Sequence, residues 1–203
     1  FKDIFSVALP ASLSPIFTVG TILILTGLIG QFGSSALAGY GIGSRVEFLM
    51  IPIVFGIGTA MTAMVGTNIG AKNITRAEKI GFTGAISAGL LSAVIGVTLA
   101  LTPNLWINFF TSDQSTFLVT KQYIEILGFF YIFQGFGLSL FFASQGADAM
   151  KWPIIATILR CVITAIGALL AVYYFSSGLA GIFYSSAIAM AFFGIMMMVS
   201  LKM

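Results

Sequence analysis

The chain has 203 residues, of which 59% are hydrophobic and only 7% charged, with a mean hydropathy of +1.08. A soluble domain is about half apolar and about a quarter charged, so this composition excludes an ordinary soluble domain and places the chain in a lipid bilayer. The net charge of +3 comes from basic residues scattered singly, His is absent, and Cys161 is the one cysteine; these facts argue against a nucleic-acid surface, an imidazole proton switch, a disulfide framework and a cysteine-based metal site.

A helix needs about 20 predominantly apolar residues to cross the hydrocarbon core, and six runs qualify. The first covers about 4–31 and has Pro15 inside it. The second, about 37–70, carries Gly39, Gly41 and Gly43 near its start, then Arg45, Glu47 and Pro52. A proline within a helix is expected to kink it, as a hinge or as a static bend. The third run, about 77–101, ends at Pro103. The connection 103–115 mixes Trp106, Phe109 and Phe110 with polar residues, the composition of a stretch lying in the membrane interface. The fourth run, about 116–144, holds Lys121, Glu125, Tyr131 and Gln134; the fifth, about 153–175, opens on Pro153 and contains Arg160. The sixth covers about 179–201. These lengths predict helices, because barrel strands are about 10 residues long and alternate. The fold class is therefore an all-α membrane protein with six transmembrane helices in one unit.

Lys2, Lys72, Arg76, Lys79, Lys151 and Lys202 fall on one side of the six crossings and only Lys121 on the other. The positive-inside rule then predicts a multi-pass protein of the inner (plasma) membrane with both termini cytoplasmic. The chain opens on Phe1 and turns apolar almost at once, which reads as a piece of a longer polypeptide. No P-loop, dinucleotide fingerprint or nucleophile elbow is present, so no enzymatic activity, and in particular no ATP hydrolysis, is expected. Transport would then be driven by an ion gradient or by a partner.

Arg45, Glu47, Glu125 and Arg160 interrupt the apolar runs. A charge near the bilayer centre costs about 2.5–3.5 kcal/mol on insertion scales, so such residues mark a pathway or a buried pair. At 1.5 Å per residue, Glu47 lies about 15 Å into its helix, Glu125 about 13 Å, Arg45 about 12 Å and Arg160 about 10 Å. Arg45 and Glu47 are two apart and do not share a face, so at least one needs a partner elsewhere or a wet cavity. Lys121 and Glu125, four apart, can pair along one helix. Glu47 reads either as half of a salt bridge that fixes packing or as a contact for a proton, sodium or a cationic substrate. Arg160 reads as a structural neutraliser of a carboxylate or as a lipid head-group contact. Tyr131 and Gln134, three apart, share a face flanked by Phe129, Phe130, Phe133 and Phe136. An aromatic wall with a few polar points suits a flat organic cation, and ordinary bundle packing produces the same pattern. The candidate pathway residues are thus Glu47, Arg45, Tyr131, Gln134 and Glu125, with no metal site.

The stretch from Ala36 to Glu47, ALAGYGIGSRVE, followed by Gly56-Ile-Gly-Thr-Ala-Met and by Val65-Gly-Thr-Asn-Ile-Gly-Ala-Lys-Asn-Ile-Thr-Arg-Ala, resembles the multidrug and toxic compound extrusion (MATE) family. Ser144-Gln-Gly-Ala-Asp-Ala-Met-Lys-Trp-Pro153 and Leu159-Arg160 agree with it in order and spacing, and the resemblance covers essentially the whole chain. It implies one six-helix lobe, more similar to the C-terminal one, of a twelve-helix transporter that exchanges sodium or protons for organic cations and other xenobiotics by alternating access. It also implies a missing N-terminal six-helix lobe as partner and no cofactor beyond the coupling ion. A six-helix unit has both ends on one side, so duplication yields parallel repeats with the substrate cleft between them. Where some members carry an acid in the first or fourth helix of this lobe, the first run here has none and the fourth offers Glu125. Two alternatives stay open: a flippase for lipid-linked saccharides, which calls for a strongly basic cleft, and a non-transporting scaffold, which calls for intramembrane charges that are all paired internally.

Overall fold

The computed structural model describes the backbone of residues 2–200 and the side chains of Ser12 and of residues 15–200. The Lys202 of the orientation argument lies outside the described residues, as does the side chain of Lys2. In chain order the helices are α1 Lys2–Gly30, α2 Ser34–Gly70, α3 Ile74–Leu101, α4 Asn104–Ile107, α5 Gln114–Leu127, α6 Tyr131–Gly146, α7 Lys151–Tyr173 and α8 Gly178–Ser200. There is no strand among the described residues. Five stretches, with α5 and α6 taken as one from Gln114 to Gly146, are long and apolar enough to cross a membrane, and Pro15–Gly30 of α1 adds a shorter apolar one. The protein is an all-helical membrane bundle, as the composition predicts.

Helix starts follow local capping. Asn73 accepts the backbone N–H of Arg76 at 3.3 Å, and Asp113 accepts that of Thr116 at 2.8 Å and the Ser115 hydroxyl at 2.6 Å. Each satisfies a donor that the first helical turn leaves open. The expected fourth span is two helices in line, joined by a tighter turn at Gly128–Phe130. The cause lies across the bundle: a Cβ on Gly128 would strike the Gly96 carbonyl of α3, and one on Gly96 would strike that of Gly128. Here the two backbones touch, and the local helix tightens.

In lipid no hydrophobic force drives helices together, so close van der Waals contact between small residues has to. The buried face of α3 contains nothing larger than serine: Ala77, Gly81, Ala85, Ala88, Gly89, Ser92, Gly96 and Ala100. This stripe lets α6 approach through Gly135. On the other flank of α6, Gly58, Thr62 and Gly66 of α2 recur every fourth residue against Phe142 and Gly146, and the Thr62 hydroxyl donates to the Phe142 carbonyl at 2.8 Å. Side chains such as Leu23, Val94 and Val199 remain exposed to face lipid.

Two apolar cores result. One, around Ile29, Val46, Ile124 and Phe183, joins α1, α2, α5 and α8; the other, around Val65, Leu140, Phe193 and Met197, joins α2, α6 and α8. The connection read as interfacial is pinned to the first. Ile107 of α4 is fully buried, and Trp106 Nε1 donates to the Ile42 carbonyl at 3.2 Å, while Phe109 stays exposed.

Candidate functional site, a polar chamber inside the bundle

Near mid-length, α1, α2, α5, α7 and α8 enclose a cavity of about 80 Å³. Its lining is unusually polar for a helical membrane core. Thr18 and Thr21 come from α1, Tyr40 and Glu47 from α2, Tyr123 from α5, and Ser186 from α8. The chain α7 contributes Thr157, Arg160, Cys161 and Thr164, at the i, i+3, i+4, i+7 spacing that places four residues on one helical face. A drug-sized ligand needs roughly 300–1,000 Å³, so this chamber is too small for one and matches a few waters or a small ion in size.

Among the described residues, Glu47 is the lining's only carboxylate. The Tyr123 hydroxyl donates to its Oε1 at 2.5 Å, a short hydrogen bond. Tyr123 is held in turn on three sides. Its ring lies where Gly43, one turn before Glu47, has no Cβ, and Tyr40 and Phe183 meet it edge-on at centroid distances of 5.7 and 5.2 Å. Among the described residues the one lining cation is Arg160, whose guanidinium sits over the Phe193 ring at 5.4 Å. Among the described residues, Glu47 and Arg160 share the chamber without a direct ion pair. The donors offered to a ligand are mostly carboxylate and hydroxyl oxygens, a hard set that suits a proton or a hard cation, with the Cys161 thiol as the soft exception. No group of His, Cys, Asp and Glu able to hold a metal ion occurs among the described residues.

The other sequence candidates lie elsewhere. Arg45, two residues before Glu47, points away from the chamber; it is exposed and its guanidinium lies 5.2 Å from the Phe110 ring in the connection after α4. A long side chain at this position reaches back toward the polar end of the bundle. Glu125 is exposed and pairs with Lys121 at 3.7 Å on the outer surface. Tyr131 is completely buried against Gly96, so it faces the core of this unit and cannot form the wall of a cleft. Gln134 is partly exposed, but its side-chain oxygen is enclosed and, with Tyr131 Oη, unpaired among the described residues. Of the five candidates only Glu47 lines the chamber. Sequence reasoning missed Tyr123, Tyr40 and the polar stripe of α7; the stripe's spacing was there to be read.

The MatE family model matches residues 10–170. A probable multidrug resistance protein NorM from Thermotoga maritima is 29% identical over 182 residues, a stretch that covers 89% of this chain and 39% of that protein. The chain superposes on a MATE transporter crystallised in the straight conformation with a TM-score of 0.91 at 23% identity, covering 99% of this chain and 45% of the other. It superposes on the Vibrio cholerae MATE transporter VcmN in its bent form with a TM-score of 0.85 at 20% identity, covering 98% and 44%. The chain therefore spans less than half the length of the proteins it matches.

Proposed function

Because the chain belongs to the MatE family, we propose that it is one lobe, the C-terminal one, of an antiporter that exports organic cations and other xenobiotics across the plasma membrane in exchange for sodium or protons. The remaining six-helix lobe supplies the other wall of the substrate cleft, and the bilayer is the solvent of both. The observation that carries this reading is the ionisable Glu47, bonded to Tyr123 in a chamber sized for an ion. In this reading Glu47 takes up the coupling ion, Tyr123 orients its carboxylate, and Arg160 balances the charge when the ion leaves. Because the chamber joins α1 and α2 to α5, α7 and α8, a change in its charge alters the packing of five helices at once. That is a route by which ion exchange tilts the lobe and exposes the cleft to either side. Gln134 is our candidate for a cleft contact; Arg45 and Glu125 are assigned to the rim of the lobe. The saccharide-flippase alternative is not favoured, since Arg160 is the one cation held inside the bundle among the described residues.

The test uses the full-length transporter reconstituted in vesicles, with efflux of an organic cation driven by a sodium gradient in one arm and a proton gradient in the other. The Glu47→Gln variant is expected to bind substrate normally and to lose the response to whichever gradient drives the wild type. Efflux and ion dependence equal to wild type would remove Glu47 from the mechanism.

A further inference from the structure

A second, much larger concavity lies outside the chamber, on the open flank between α2 and α3. It is a groove of about 600 Å³. One wall is α2, presenting Gly56, Ala60 and Met64; the floor includes Met61, which seats against Gly84 of α3 because that glycine has no side chain. Arg76 and Lys79 stand at the end nearest the α2–α3 turn, both exposed. From there α3 continues along the groove with Thr83 and Ser87, about 16 Å from Arg76 at the helical rise. The Ser87 hydroxyl is already satisfied by the Thr83 carbonyl at 2.9 Å, so this wall does not require water.

We propose that this groove binds an anionic phospholipid, with the phosphate held by Arg76 and Lys79 and one acyl chain laid along Gly56, Ala60 and Met64. Charge complementarity selects the occupant. Two cations with no ion-pair partner among the described residues stand at one end of an otherwise uncharged trough. The polarity runs as a phospholipid's does, charged at the membrane surface and apolar at depth. A basic pocket between transmembrane helices is the kind of site that takes an acidic head group, while the same two charges repel an organic cation. The small residues on α2 leave a smooth floor on which a flexible chain can lie, and a Cβ at Gly56 meets nothing within 4 Å, so the trough is open there.

The experiment is native mass spectrometry of the full-length transporter carrying this chain, released from bilayers of equal phosphatidylglycerol and phosphatidylcholine, with inorganic phosphate as competitor. The wild type is expected to retain phosphatidylglycerol in preference to phosphatidylcholine, and inorganic phosphate is expected not to displace it. Neutralising both cations in Arg76→Gln/Lys79→Gln is expected to weaken retention by at least about tenfold. Filling the trough with Ala60→Leu is expected to reduce retention with the charges intact. Equal retention of the two lipids by the wild type overturns the proposal, as does undiminished retention in the double variant. Displacement by phosphate alone reassigns the cations to a free anion and overturns it too. No retained lipid, together with a cysteine at position 60 that stays unreactive in the intact transporter, assigns the groove to the rest of the polypeptide and overturns it equally.

Discussion

Glu47 owes its position to Tyr123, and Tyr123 owes its position to the absence of a side chain at Gly43. Leaving a buried hydrogen-bonding group without its partner costs about 1–3 kcal/mol. Tyr123→Phe is therefore expected to lower stability by about 1–3 kcal/mol while preserving the ring packing, read as a lower thermal midpoint of the purified protein. Glu47→Gln keeps an acceptor for the same hydroxyl and is expected to cost less on the same measurement. Glu47 was legible in the sequence because a carboxylate in an apolar run has few explanations. Tyr123 was not, because a tyrosine among aliphatic residues reads as packing until the helix beside it is known. Arg45 shows the converse: a charge in an apolar run drew attention, yet its flexible side chain carries that charge to the Phe110 ring and away from the chamber.

At the level of helices, the pattern that sets contact is smallness more than hydrophobicity. Run length gave six spans, but it cannot show that α5 and α6 meet at a tightened turn, because that break is imposed by Gly96 on another helix. Gly96→Val is expected to force α3 away from the α5–α6 junction, costing about 1–3 kcal/mol or more, with reduced expression and a lower thermal midpoint; Val at exposed Gly41, where a Cβ meets nothing within 4 Å, is the matched control. The start of α5 carries a pH dependence of its own. The Ser115 hydroxyl, and then the Thr116 backbone N–H, hold the Asp113 carboxyl down at about 2, against 3.8 for an ordinary aspartate. A lowered folded-state pKa stabilises above the ordinary value and loses that contribution as pH falls through the folded one. Amide protection over the first turn of α5 is thus expected to be constant above about pH 4 and to fall toward about pH 2, with no such step in Asp113→Asn, whose amide oxygen still caps.

At the scale of the whole molecule, the chain spans less than half the length of the relatives it matches. Motif order in the sequence pointed to the family, and the placement of lysines and arginines carries the proposed sidedness. With α2 and α3 joined on the basic side, a cysteine at Ala71 is expected to react with an impermeant maleimide only after cells are opened. One at Ser112, beyond α4, is expected to react in intact cells. Both substitutions are made with Cys161 replaced by Ser. Reversal of the two reactivities would invert the proposed orientation, and the lipid groove beside Arg76 and Lys79 would then face the outer leaflet. What the sequence could not convey is the division of labour we propose: a small polar chamber within this unit, and a substrate cleft that a second unit closes. That distinction rests on volume, and volume belongs to the assembled helices.

Cys161 is the sole thiol in the chain, and it lines the chamber that holds Glu47. A heavy atom bound to the native sulfur would sit in the wall of the same chamber as the acid. The protein thus comes with its own reporter on its innermost compartment, one that needs no engineered cysteine.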